Sequence, residues 1–107
     1  MDETVIINII VCAGEANSYL QQAFLETSTG DFNVVEELLT KANESLEKAH
    51  QAQTELLQAE ARGEQAEISL LMVHAQDHLM NVMLSKQLII HLISMQKEIN
   101  ELRGKLL

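Results

Sequence analysis

The chain of 107 residues contains no proline and no tryptophan, and aromatic residues make up only 3% of it. Proline is the residue most disruptive to helix interiors, and aromatic residues are enriched in strands, so their scarcity favours helix over sheet. Apolar residues still account for 47% of the chain, with many alanines and leucines. Composition and length therefore predict one all-helical domain with a modest core.

Cysteine, basic residues and long apolar runs are also scarce or absent. Cys12 is the single cysteine, which excludes an internal disulfide and a cysteine metal site and is typical of a reducing compartment. Basic residues number 7 against 16 acidic ones, for a net charge of −9, which argues against nucleic acid and anionic membranes as partners. No apolar run approaches the ~18 residues of a spanning helix, and no signal peptide is evident. We expect a cytoplasmic protein without direct membrane insertion.

Apolar residues recur at helical spacing in three segments, which predicts helices over about residues 2–27, 32–61 and 67–103. Thr27–Gly30 separates the first two segments, and Asp31 is placed to cap the second helix. Arg62–Glu64 contains a glycine suited to ending the second helix. Short connections of this kind predict a single domain over residues 1–107, an antiparallel up-down-up three-helix bundle.

The third predicted helix has two apolar faces. One is wide enough to fill the core of its own bundle, and it comprises Leu71, Ala75, Leu79, Val82, Met83, Ile89, Ile90 and Ile93. The other is a stripe with alternating steps of four and three residues, comprising Leu70, His74, Asp77, Asn81, Leu84, Leu88, His91, Met95, Glu98 and Leu102. A lone three-helix domain cannot cover both faces, so this pattern predicts a homo-oligomer that meets along the third helix.

Within this helix, His74, Asp77 and His78 form a polar cluster in an otherwise apolar run. Histidines four residues apart can share a metal, and the segment is similar to an inverted zinc-hydrolase motif. However, an aspartate replaces the longer glutamate of that motif, and no third ligand is evident. The segment Glu47–His50 matches one half of a di-iron motif whose second copy is missing. We interpret His50 as a hydrogen-bonded histidine at a helix interface, with a position facing the third helix near the cluster as the alternative. We interpret His91 as structural.

The remaining interpretation is that His74 is a nucleophile toward phosphorus. A neutral imidazole nitrogen is available near physiological pH, and it needs solvent access and nearby donors for the phosphoryl oxygens. His78 and Gln76 lie close along the helix and are candidates for that assistance. Because the sequence lacks a glycine-rich phosphate loop, the phosphoryl group would come from a phosphoprotein rather than from ATP.

The segment Ser69–Met80, together with Gly30–Phe32 and Ala49–Thr54, resembles the lactose/cellobiose (chitobiose) family of enzyme IIA components of the bacterial phosphoenolpyruvate-dependent sugar phosphotransferase system. The resemblance extends over nearly the whole chain. It implies a homotrimer of three-helix bundles and places the phosphorylated histidine at His74. It also implies that Asp77 binds a divalent cation on the trimer axis. Asn81 departs from the family pattern, in which a hydroxyl residue is common after the motif.

The resemblance implies partners that the residues alone do not. The phosphocarrier HPr would phosphorylate His74, and the cognate IIB protein would pass the group toward a sugar entering through membrane IIC. Three Asp77 carboxylates on one axis favour a hard cation, so we expect one Mg²⁺ per trimer. The alternative is a non-catalytic helical oligomer or adaptor with a metal-filled core. The sequence does not identify the sugar, because IIA does not touch it.

Overall fold

The computed structural model describes residues 3–64 and 68–107. Within these ranges the chain forms three helices and no strand: α1 (Glu3–Thr27), α2 (Phe32–Ala61) and α3 (Leu70–Leu106). The helices pack lengthwise into an elongated bundle of 63 × 20 × 18 Å. This confirms the all-helical, three-helix prediction. None of the three helices combines the length and hydropathy that crossing a bilayer requires.

The residues of the turn itself determine the connection between α1 and α2. Gly30 adopts a φ of 83°, a left-handed conformation that glycine accepts without steric penalty. Asp31 follows as the N-cap of α2, and its side chain accepts a hydrogen bond of 3.3 Å from the backbone N–H of Val34. The cap satisfies one of the amides left free at a helix start. Because the turn is short, α2 runs antiparallel to α1.

At the other end of α2, Gly63 has a φ of 81° and closes a Schellman motif. The N–H of Gly63 donates to the carbonyl of Glu60, and the N–H of Glu64 donates to the carbonyl of Ala59. Both bonds satisfy carbonyls in the last turn of α2. The predicted glycine C-cap is thereby confirmed.

The third helix differs from its predicted bounds at its C-terminal end. Its predicted start, near residue 67, lies outside the described residues. In the structure α3 begins at Leu70. Ser69 is the N-cap, and its side chain accepts a hydrogen bond of 3.1 Å from the backbone N–H of Met72. Its end lies at Leu106 instead of about Arg103. The extension passes through Gly104, because one glycine costs a helix only about 1 kcal/mol. Arg103 and Lys105 in the last turn also complement the helix dipole.

The core lies around α1, which packs extensively against both other helices, whereas α2 and α3 touch at few places. Small residues let the helices approach closely, and they surround a few large buried side chains such as Ile9, Leu20 and Leu79. The buried alanines are Ala13, Ala16, Ala23, Ala42, Ala49, Ala59 and Ala75. On the predicted core face of α3, the position of Ile90 was wrong: it is 45% exposed, because α2 does not cover that side of α3.

Candidate functional site

The outer stripe of α3, defined as the set from Leu70 to Leu102 given above, lies on the solvent side of the bundle. Its large apolar members are more than half exposed: Leu70, Leu84, Leu88, Met95 and Leu102. Its polar members are exposed as well. An apolar strip running the length of a helix is unusual on a monomer surface. The homo-oligomer predicted from the two faces of α3 remains a prediction that this exposure supports.

His74 lies near the N-terminal end of this stripe, with its side chain exposed to solvent. Its ring stacks on that of His78, one helical turn later, with centroids 6.0 Å apart and planes 6° from parallel. The two residues share a helix face because they are four positions apart. The structure therefore brings together the two histidines that the sequence singled out. It leaves the first of them accessible to a docking protein.

His78 is half-buried because it lies where α3 meets α1. Its Nε2 atom faces Gly14 of α1, and a Cβ atom added to that glycine would lie 3.8 Å from this nitrogen. Apart from the two chain neighbours of Gly14 and the nearby backbone of α1, this nitrogen is the one atom of the described residues within 4 Å of that Cβ position. The glycine in the middle of α1 thus lies directly against the second histidine of the cluster.

Asp77 is exposed on the other flank of His74, away from α1. Its Oδ2 atom accepts a hydrogen bond of 3.4 Å from Nδ2 of Asn81, one turn further along the stripe. Asn81, the residue that departs from the family pattern, therefore contacts the predicted metal ligand. The periodicity of the sequence predicts Asn81 on the stripe, and the four-residue spacing between Asp77 and Asn81 is the signal that could have predicted this contact.

The described residues of one chain do not form a metal site by themselves. Within the described residues, no three histidine, cysteine, aspartate or glutamate side chains converge in a geometry that could hold an ion. The donor set at Asp77 is an exposed carboxylate, and copies of it from other chains would present only hard oxygen ligands. Asp77 thus fits a hard divalent cation only in an assembly in which several copies meet.

Gln76 lies about 200° around α3 from His74, on the side that faces α2. Its Oε1 atom accepts a hydrogen bond from Nε2 of Gln53, and the pair is partly buried. This contact is among the few between α2 and α3. The structure therefore places Gln76 away from the outer stripe, and its observed contact joins two helices. Its predicted assistance to His74 is not reflected in the observed geometry.

The two other histidines lie outside the cluster. His50 is exposed on α2, so its predicted position at a helix interface is wrong. Its backbone carbonyl accepts a hydrogen bond of 3.0 Å from the hydroxyl of Thr54. His91 is exposed late in the outer stripe. The structure brings neither imidazole into ring contact with another histidine. His91 is therefore a natural control for the reactivity of a histidine on this stripe.

The arrangement at the N-terminal end of α3 combines three properties. It has an accessible imidazole, a second and more restrained imidazole beside it, and an apolar stripe with polar groups at its margin. A group that transfers a phosphoryl moiety between proteins needs an exposed nucleophile with a fixed orientation and donors nearby. The exposed His74 with His78 beside it has these properties.

A family model described as "PTS system, Lactose/Cellobiose specific IIA subunit" matches residues 4–97. The chain belongs to this family. It is 44% identical over 102 residues to the lichenan-specific phosphotransferase enzyme IIA component of Bacillus subtilis, covering 95% of this chain and 93% of that protein. The N,N'-diacetylchitobiose-specific EIIA component of Escherichia coli K12 is 34% identical, over 91% of this chain and 84% of its own.

Solved structures agree with this family assignment. The crystal structure of the cellobiose-specific enzyme IIA from Bacillus anthracis has a TM-score of 0.89 and 39% identity to this IIA chain, covering 94% of each. Family membership makes the protein a component of a sugar phosphotransferase system. It favours a role in phosphoryl relay over the non-catalytic adaptor that the outer stripe alone would also allow.

Proposed function

We propose that this IIA protein is a cytoplasmic phosphoryl carrier that uses His74 as its acceptor. Phospho-HPr would donate the group, and the cognate IIB protein would receive it for the uptake, through membrane IIC, of a β-linked disaccharide such as lactose or cellobiose. The observation that carries the proposal is the exposed His74 ring stacked on half-buried His78. The relatives named for lichenan, lactose, cellobiose and chitobiose support the sugar class.

The chemistry is an exchange of one bond to phosphorus for another. A neutral ring nitrogen of His74 attacks phosphorus, the new N–P bond forms, and the bond to the HPr side chain breaks with its electron pair leaving on HPr. Attack by the IIB side chain then releases His74 with its nitrogen lone pair restored. Both steps depend mainly on positioning and charge stabilisation, so a shallow surface is sufficient.

His78 is proposed to assist, by donating a ring N–H to the phosphoryl oxygens or by holding the His74 ring in place. Its half-buried position and parallel ring support both versions. Gln76 was predicted to assist as well. Because its carbonyl oxygen already accepts from Gln53 on the far side of α3, we assign it a role in bracing α3 against α2.

We further propose that three copies assemble along the outer stripe of α3. The supporting observation is the exposure of the stripe's five large apolar side chains, which lie from Leu70 to Leu102. The three Asp77 carboxylates would then meet where water is scarce, and their mutual repulsion would require a counter-charge. One Mg²⁺ held by the three Asp77 side chains would supply it, with a structural role. Each Asn81 amide is placed to orient its own Asp77 carboxylate.

The test follows the group through both steps. The purified IIA protein is incubated with HPr carrying a ³²P-labelled phosphoryl group, and the cognate IIB protein is added afterwards. We expect acid-labile, base-stable label on IIA, as for a phosphohistidine, and its transfer to IIB on addition. An IIA protein that takes no label from phospho-HPr, or that holds acid-stable label and does not release it to IIB, would contradict the proposal.

A further inference from the structure

Gly14 is a glycine in the middle of α1, at a position where helix geometry does not require one. Its φ is not in the left-handed region that characterises Gly30 and Gly63. Neither a turn nor an unusual backbone angle requires a glycine there. Its neighbour in space is the Nε2 atom of His78, 3.8 Å from the position a Cβ would take.

We infer that position 14 is a positioning site for phosphoryl transfer: a residue no larger than alanine there lets His78 lie against α1, and so holds this ring parallel to that of His74. The inference rests on the proposed function of His74. His78 extends from α3 toward α1, and its Nε2 edge meets the α1 surface at Gly14. The ring is thus bounded by α1 at this edge and by the His74 ring on a face.

The space at Gly14 sets which side chains it can hold. A Cβ at 3.8 Å makes ordinary van der Waals contact, so alanine should fit without moving the His78 ring. Valine adds two γ-carbons, and in a helix it has one strongly preferred χ1 rotamer, so these atoms cannot swing freely away. Gly14→Val should therefore displace the His78 ring, whereas Gly14→Ala should leave it in place.

Gly104 provides the matched control. It is also a helical glycine, but nothing lies within 4 Å of the position that its Cβ would take. Gly104→Val therefore introduces the same residue into a helix with no histidine to displace. Each variant is first checked for helix content by circular dichroism and for unchanged affinity for HPr. The single-turnover rate of phosphoryl transfer from HPr, at saturating HPr, is then measured.

We expect Gly14→Val to slow transfer roughly tenfold or more, the scale of losing one positioned donor, while Gly14→Ala and Gly104→Val stay close to the parent rate. In a His78→Ala background, Gly14→Val should have no further effect, because the ring that it displaces is gone.

Unchanged transfer in Gly14→Val, or an equal slowing with and without His78, would overturn the inference. If Gly14→Val does not fold, Gly14→Cys replaces it, because cysteine has only one heavy atom beyond Cβ. The same slowing of transfer, and the same loss of effect in the His78→Ala background, are expected for it. A parent protein that takes no label would instead contradict the proposed function itself.

Discussion

The rings of His74 and His78 lie parallel, one helical turn apart, yet the first is exposed and the second is half-buried against α1. The difference in exposure supports the different roles that we propose for two residues that look equivalent in the sequence. A nucleophile that serves two protein partners must be reachable from solvent, whereas a residue that orients it benefits from restraint. His74 fits the first role and His78 fits the second.

Replacing His78 with glutamine should slow phosphoryl transfer to His74 without abolishing it. Glutamine keeps a polar side chain but loses the rigid ring that stacks on His74, and the loss of one positioned donor typically slows a reaction by roughly ten- to a thousandfold. The single-turnover rate from phospho-HPr checks this. Transfer at the parent rate would mean that His78 is a structural histidine only.

HPr and IIB should compete for this protein, because both must bring a reactive side chain to the same nitrogen of His74. Transient docking of this kind uses a modest area with an apolar centre and a polar rim. The net charge of −9 predicts that association with a partner that is basic around its own site weakens as salt is added. Titrating IIB into a preformed IIA–HPr complex should displace HPr. A stable ternary complex on one His74 surface would contradict the shared site.

Substitution of Asp77 tests whether this residue serves trimer assembly or phosphoryl transfer. If three Asp77 carboxylates share one cation, a chelator should weaken the trimer, which analytical ultracentrifugation would detect as dissociation. Asp77→Leu replaces the repelling charges with apolar contacts, so it should yield a trimer that is indifferent to chelator and still accepts phosphate. An Asp77→Leu trimer that is folded but takes no phosphate would place this carboxylate in the catalytic site.

The C-terminal half of α3 should contribute to stability through Asn100. Its Nδ2 atom donates a hydrogen bond of 3.0 Å to the carbonyl of Thr27 at the end of α1, and its Oδ1 atom accepts from Gln96. Asn100→Ala should lower the free energy of unfolding by about 1–2 kcal/mol, as for a partly buried hydrogen bond. Urea denaturation at fixed protein concentration checks this. Asn43→Ala, at an exposed position of α2, is the control and should be close to neutral.

Much of the fold follows from local chemistry, and so the sequence predicts it. The turn at Gly30, the cap at Asp31 and the glycine C-cap at Gly63 each depend on residues within one turn of the helix end that they form. The outer stripe was predictable for the same reason, because helical periodicity fixes which side chains share a face. The pairing of His74 with His78 and of Asp77 with Asn81 also follows from a spacing of four residues.

Contacts between helices were not predictable in this way. Asn100 and Thr27 are 73 residues apart, and Gln53 and Gln76 are 23 apart, so only the packed bundle reveals them. Periodicity gives the angle of a side chain around its helix but not the neighbour at that angle. Leu57 and Ile90 lie on the faces of their helices that carry mostly apolar residues, yet their side chains are 55% and 45% exposed. The reason is that α2 and α3 pack on α1 more than on each other.

The central claim, that His74 alone accepts the phosphoryl group, is tested most directly by comparing two variants with the parent protein. His74→Ala and His91→Ala each remove one exposed imidazole from the outer stripe, so both should fold and assemble as the parent does. After incubation with ³²P-labelled phospho-HPr, we predict no label on His74→Ala and parent-level label on His91→Ala. If folded His74→Ala carried about as much label per chain as the parent protein, His74 would not be the acceptor.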